Sequence, residues 1–215
     1  MGKRCRTAIL ISGSGSNLQA FIDAIAVGEI NLDIAVVFSN NPDAYGLQRA
    51  AAAGIATACI RHDDFINRES FDAAVIAKLD NFSPDLLILA GFMRILGPAF
   101  VAHYRGKILN IHPALLPLYP GLNTHQRVID AGDEWHGSTV HFVTEELDAG
   151  PRILQGRLPV NGTENANELQ NRVQLLEHKI FPRAAHMVGN GEVVFKSGQC
   201  WVAGAPRETP EIQTF

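Results

Sequence analysis

Cysteine is scarce. The three in 215 residues, Cys5, Cys59 and Cys200, are too scattered for a disulfide framework, and none has the CxxC or His/Cys spacing of a zinc site. Three reduced thiols are expected. No run approaches the roughly 20 apolar residues that span a bilayer, and "MGKRCRTAIL" passes straight into a strand pattern with no signal-peptide core or cleavage site. A cytoplasmic protein without membrane contact is therefore expected. A basic face is missing too: the formal charge is −4 with the signs interspersed, which disfavours a nucleic-acid partner. The sequence holds no internal repeat and no low-complexity segment. The expected partners are small molecules, bound by a monomer or a homodimer.

The common catalytic signatures are also lacking. There is no Gly-x-Ser-x-Gly elbow, no cysteine in a motif and no HExxH, so neither a covalent nucleophile nor a bound metal is indicated. The dinucleotide fingerprint fails twice. Leu18 stands where GxGxxG needs its third glycine, and the second strand ends in "FSNN" without an acid for a ribose diol. No Gly-Lys-Ser/Thr marks a P-loop.

What is present is a 47% hydrophobic chain, enough for one sizeable core. "RTAILI" reads as a strand, "SGSGSN" as a turn, and Leu18, Phe21, Ile22 and Ile25 as one face of a helix. The alternation recurs through "LDIAVVF", a short Ala-rich helix, "IATACI", a helix with Phe71, Val75, Leu79 and Phe82 on one face, "DLLILA", "PAFVAHY" and "KILNI". Such repetition predicts an α/β fold, a doubly wound, Rossmann-like and mostly parallel sheet. "STVHFV" and "ILQGRLPV", separated only by a loop, predict antiparallel additions in the C-terminal half. A helix over about 164–186, bent at Pro182, and a hairpin in "EVVFKSGQCWVA" complete a single domain over 1–203. Residues 204–215 read as a polar, mobile tail.

Ligands of such sheets sit at the carboxyl ends of the strands. In "LISGSGSNLQAF", Gly13 and Gly15 let backbone amides approach a ligand, and Ser16, Asn17 and the helix N-terminus favour an anion such as a phosphate monoester; a plain tight turn is the alternative. In "KILNIHPALLPLYPGL" an apolar strand places Asn110 and His112 two residues apart, on one face, before a proline-stiffened, exposed loop. His112 alone would more often be structural. An amide donor beside an imidazole is what a developing oxyanion requires. "HFVTEELDAG" brings a carboxylate-bearing loop toward the same edge, although residue pattern does not choose Asp148 over Glu145 and Glu146. The remaining histidines have no ligand spacing and read as packing or surface residues, except that alternation sets His141 on one face with Thr139 and Val143. Such groups suit direct acyl transfer between two bound substrates.

The stretches "ILISGSGSNLQA", "VFSNNPDAYGL", "LAGFMRIL", "LNIHPALLP", "GSTVHFVTEELDAGP" and "VQLLEHKIFP" together resemble the folate-dependent phosphoribosylglycinamide formyltransferases of purine synthesis. The resemblance implies transfer of a formyl group from 10-formyltetrahydrofolate to glycinamide ribonucleotide. It implies a catalytic trio of Asn110, His112 and Asp148, and a phosphate site at Gly15, Ser16 and Asn17. Glu177 is implied to contact the ribonucleotide. Met93, Arg94, Ile95 and Leu96, with Asn110, are implied to line the folate pocket, and Arg68 to meet the folate's carboxylate-bearing tail. Periodicity alone would make Arg68 and Glu177 solvated helix charges. Asn123 departs from the family, where many members carry a histidine. Methionyl-tRNA formyltransferase and formyltetrahydrofolate hydrolase are related alternatives. The first is disfavoured by the expected lack of a C-terminal tRNA-binding domain. Against the second stand "NIHP", where such enzymes resemble "NIHH", and a start at the first strand with no additional N-terminal sequence. A non-catalytic folate or nucleotide sensor on the same fold is the reading outside enzymology, and the intact trio argues against it.

Overall fold

The structure, a computed structural model, describes residues 4–215, so the first three residues of the stretch read as a lead-in to the first strand lie outside the described residues. Strands β1 (Cys5–Ile11), β2 (Leu32–Ser39), β3 (Thr57–Cys59), β4 (Leu86–Leu89) and β5 (Ile108–His112) alternate with helices α1 (Ser16–Ala26), α2 (Tyr45–Ala52), α3 (Arg68–Asp80) and α4 (Pro98–His103). Then come α5 (Thr124–Ala131), β6 (Trp135–Phe142), β7 (Arg152–Pro159) and the long α6 (Ala166–Gly189). Four short strands close the chain, β8 (Val193–Lys196), β9 (Gln199–Val202), β10 (Ala205–Arg207) and β11 (Glu211–Thr214).

The main sheet has the order β11-β7-β6-β5-β4-β1-β2-β3. From β3 to β5 all neighbours are parallel, whereas β5, β6 and β7 pair antiparallel. This is the α/β, doubly wound, mostly parallel architecture with antiparallel additions. Strand alternation divides the core between the two faces. Ile9, Ile11, Ile88, Leu109 and Ile111 join Leu18 and Phe21 of α1 and Val173, Ile180 and Phe181 of α6. Ala8, Leu10, Leu87, Leu89 and Ile108 join Phe71, Val75 and Leu79 of α3 and Phe100 of α4. Phe21 meets Phe181 edge-on at 5.3 Å, tying α1 to α6. The strand order reverses between β1 and β4, which opens a crevice at their carboxyl ends.

Three C-terminal features differ from the sequence reading. Helix α6 starts later and ends later than 164–186, because Asn165 takes the cap: its side chain accepts from the amides of Asn167 and Glu168, and Glu168 returns a bond to Asn165 N–H. The expected hairpin forms, but with β10 it makes a separate three-stranded sheet. Residues 211–214 are no mobile tail. They pair parallel to β7, Glu211 bonds Arg183 at 3.1 Å, and Thr214 accepts from Arg157 at 3.0 Å. Main-chain pairing, one ion pair and a side-chain hydrogen bond hold this strand, so its polar composition concealed it.

Candidate active site

The turn after β1 is shaped by close backbone packing. Gly15 has φ 70°, in the left-handed region, and a Cβ there would lie 2.7 Å from Gly46 Cα at the start of α2. Gly46 donates its amide to Gly13 O at 3.0 Å. No side chain caps α1 and no acid occupies its first turn, so the amides of Ser16 and Asn17 keep their affinity for an anion. Arg49, which sequence reasoning passed over, donates to Ser14 O at 2.9 Å and adds a positive charge beside the turn.

These residues form one wall of a cavity of about 330 Å³. Ala90 and Ile111 line it at the ends of β4 and β5, Met93 and His125 stand on its flanks, and Gln174 and Glu177 of α6 face the turn. Glu177 is no solvated helix charge: it is 8% exposed, and burial pushes its carboxyl above the usual range despite hydrogen bonds from Asn17 and Ser138. A larger, open groove of about 860 Å³ runs outside α1 and α6, reaching the turn only at Ser16.

Asn110 and His112 project from the same face of β5, and antiparallel pairing sets His141 directly opposite Asn110. His141 Nδ1 lies 2.9 Å from Phe142 O, an acceptor, so Nδ1 carries the proton and Nε2 accepts from Asn110 Nδ2 at 3.3 Å. Burial also lowers the His141 pKa, in keeping with a neutral ring. The second amide proton of Asn110 is left for another acceptor.

His112 Nε2 donates to Tyr119 O at 2.9 Å, leaving Nδ1 facing Asp148 Oδ2 at 3.4 Å. Both side chains are under 10% exposed. In the protonated ring each nitrogen faces an acceptor. The geometry thus chooses Asp148 where residue pattern did not; Glu145 and Glu146 are exposed. Asp148 adopts φ 54°, a strained conformation that Asp tolerates better than most residues, and accepts from Gly121 N–H at 3.0 Å.

The loop after His112 is less exposed than its prolines suggested. Ala114 and Leu116 are buried. Thr139 Oγ1 donates to Ala114 O and accepts from Leu116 N–H, while Arg152 and Gln155 donate to Leu116 O. Sequence reading missed these polar pins because the partners lie on β6 and β7. It also missed the pair of half-buried His125 and buried His136, whose Nδ1 and Nε2 lie 2.9 Å apart. Asn123 is exposed with φ 57°; its side chain makes no cap bond, and Asn suits that conformation.

The segment 91–97 runs along the other flank. Met93 N–H donates to Ser12 Oγ at 2.8 Å, and Gly97 N–H to Asp72 Oδ2 at 2.7 Å, so it is pinned near both ends. Met93 and Ile95 present apolar surface, 79% and 65% exposed. Arg94 lies over the Phe71 ring at 5.3 Å, and Leu96 packs partly into the core. Arg68, exposed at the start of α3, acts on the charge of Asp72 together with Arg94, which sets it on this flank.

Comparison with known proteins identifies the family. The formyl transferase family model matches residues 5–185. The phosphoribosylglycinamide formyltransferase of Escherichia coli (strain K12) is 49% identical over 91% of this chain and 92% of its own length. The chain also matches the trifunctional purine biosynthetic protein adenosine-3 of Bos taurus, at 48% identity over 93% of this chain, but spans only 20% of that protein. Among solved structures, the phosphoribosylglycinamide formyltransferase of Coxiella burnetii superposes with a TM-score of 0.93 at 43% identity, covering 98% of this chain and 100% of that one. With a likeness that runs along almost the whole chain, the protein belongs to the formyl transferase family.

Proposed function

We propose that the protein transfers the formyl group of 10-formyltetrahydrofolate to the amino group of glycinamide ribonucleotide, a step of purine synthesis. The observation that carries this reading is that Asp148 faces His112 at 3.4 Å and His141 at 3.8 Å while Asn110 bonds the same His141, beside a cavity walled by the glycine-rich turn. The ribonucleotide phosphate rests on Gly15, Ser16 and Asn17, with Glu177 on the facing helix. The formyl-folate docks along Met93, Arg94, Ile95 and Leu96 and near Asn110, and Arg68 meets its carboxylate tail. A single catalytic domain, which includes strand β11 beyond residue 203, works in the cytoplasm as a monomer or homodimer.

Holding both substrates across the strand ends makes the reaction effectively unimolecular. The amine attacks the formyl carbon directly. The free amide proton of Asn110 stabilises the tetrahedral oxyanion, a kind of bond whose loss costs ~3 kcal/mol in other enzymes. His112, oriented by Tyr119 O and Asp148, supports that oxyanion and delivers a proton to the departing folate nitrogen.

The test is to incubate the purified protein with formyl-folate alone, with glycinamide ribonucleotide, and with charged initiator tRNA. Formyl donor consumed only with the ribonucleotide is the expected result. Consumption without acceptor would make the protein a hydrolase, and consumption with the tRNA a different transferase.

A further inference from the structure

Beside the cavity, three buried groups share fewer protons than their contacts at first suggest. Ser138 Oγ lies 2.7 Å from the carbonyl oxygen of His112 and 2.9 Å from Glu177 Oε1. A hydroxyl carries one proton, and a carbonyl supplies none. The other partner of that carbonyl, the amide of Ala114 at 2.8 Å, uses its proton on the carbonyl itself. The Ser138 proton therefore lies toward His112, since two bare acceptors at 2.7 Å would repel. The contact with Glu177 then needs a proton from the carboxyl group. Glu177 Oε2 receives Asn17 Nδ2–H at 3.1 Å, so the extra proton belongs on Oε1.

We propose that Glu177 is a neutral carboxylic acid in the folded protein, donating to Ser138 and thereby positioning the end of β5 on which His112 stands. The bonds run one way, from Asn17 to Glu177, to Ser138, to the His112 carbonyl. The groups that face Glu177 support a neutral form. Asn17 comes from α1, Ser138 from β6, and Gln170, Val173 and Gln174 line the same cavity from its own helix. Among the described residues, the only other titratable side chain lining that cavity is His125, which burial disposes to be neutral. Burial likewise raises the Glu177 pKa and outweighs the two hydrogen bonds.

The acid also removes a conflict. A carboxylate at this position would share a cavity of about 330 Å³ with an anion on the turn and repel it. A neutral acid leaves that anion unopposed, and Asn17 Oδ1, buried without a partner, remains as an acceptor for a donor group on the ligand. This consequence rests on the phosphate reading above; the protonation state does not.

The experiment is infrared difference spectroscopy at neutral pH without substrate, using protein with 13C-labelled glutamate. The other glutamate with a buried side chain among the described residues, Glu164, is ion-paired with Arg172 and stays a carboxylate, so the wild type should show one isotope-shifted C=O band of a protonated carboxyl, from Glu177. Glu177→Gln should lose it. The same band in the wild type keeps the test valid if the variant does not fold. Gln reproduces the acid's pattern, donating to Ser138 and accepting from Asn17. Titrations with inorganic phosphate across pH should show wild-type affinity falling with an alkaline limb that Glu177→Gln lacks. In Glu177→Leu, kcat should fall at least tenfold with KM for the formyl donor little changed. No glutamic acid band in the wild type, or a band that survives in folded Glu177→Gln, overturns the proposal, whereas identical phosphate profiles with the band present overturn the phosphate reading alone. The band with no formyl transfer would instead overturn the functional reading alone.

Discussion

His112 Nδ1 faces Asp148 Oδ2 at 3.4 Å, and the aspartate holds that place from a left-handed backbone conformation with φ 54°. The fold thus accepts local strain to aim a carboxylate at an imidazole already tied to Tyr119 O at 2.9 Å. Asp148→Asn keeps the shape and tolerates the conformation but removes the charge. Turnover should fall about 100-fold or more, and the pH profile should change, while phosphate binding and the melting temperature stay nearly constant. Steady-state kinetics across pH checks this. Unchanged turnover with an unchanged profile would exclude Asp148 from the reaction.

Gly15 offers a contrasting change on the opposite wall. Its φ of 70° and the 2.7 Å approach of Gly46 Cα to any added Cβ leave no relaxed place for a side chain. Gly15→Ala should cost about 1–2 kcal/mol in conformational strain alone. The turn should move away from α2, raising KM for the ribonucleotide more than tenfold with little effect on KM for formyl-folate. Equal rises in both constants would mean that the turn does not hold the phosphate.

How far these groups were legible in the sequence depends on whether their partners are local. Asn110 and His112 could be paired because strand alternation fixes side-chain direction within a segment. The glycine-rich turn was legible for a similar reason. Asp148 could not be separated from Glu145 and Glu146, since only the tertiary path of the loop decides which acid meets His112. Ser138 and Asp72 gave no signal either, as their partners lie 26 and 25 residues away. Strand β11 was missed because its stabilisation comes from the open edge of β7, and polar composition does not register that.

Asp72 illustrates how such a hidden contact can be tested. It is 4% exposed, burial raises its pKa, and its carboxylate accepts the Gly97 amide at 2.7 Å, which fixes the segment carrying Arg94 and Ile95. Asp72→Ala leaves a buried amide without its acceptor and should cost about 1–3 kcal/mol, with a higher KM for formyl-folate. Asp72→Asn can retain the acceptor. Because the folded pKa is raised, the Asp72 contribution to stability is greatest below the ordinary carboxylate range and declines as pH rises through the folded value. Denaturation midpoints should therefore show that decline in the wild type and not in Asp72→Asn. If Ala and Asn behave alike in stability and KM, the Gly97 contact is not what positions the segment.

The pair of half-buried His125 and buried His136 sets the opposite pH dependence. Their rings meet at 2.9 Å through a single shared proton, and burial lowers both pKa values, that of His136 from 6.5 to about 4. Both rings are neutral at pH 7. A histidine whose folded pKa is depressed contributes its stability above the unfolded value and loses it as pH falls toward the folded one. The window here runs from 6.5 down to about 4. The loss across it from His136 should be roughly 3 kcal/mol. Protonation of both would place two charges against each other between α5 and β6, so α5 should loosen first. Urea midpoints measured across this window should fall steeply in the wild type and much less in His136→Gln, which can still bond His125 without taking up a proton. An equal acid loss in both would assign the sensitivity to another group.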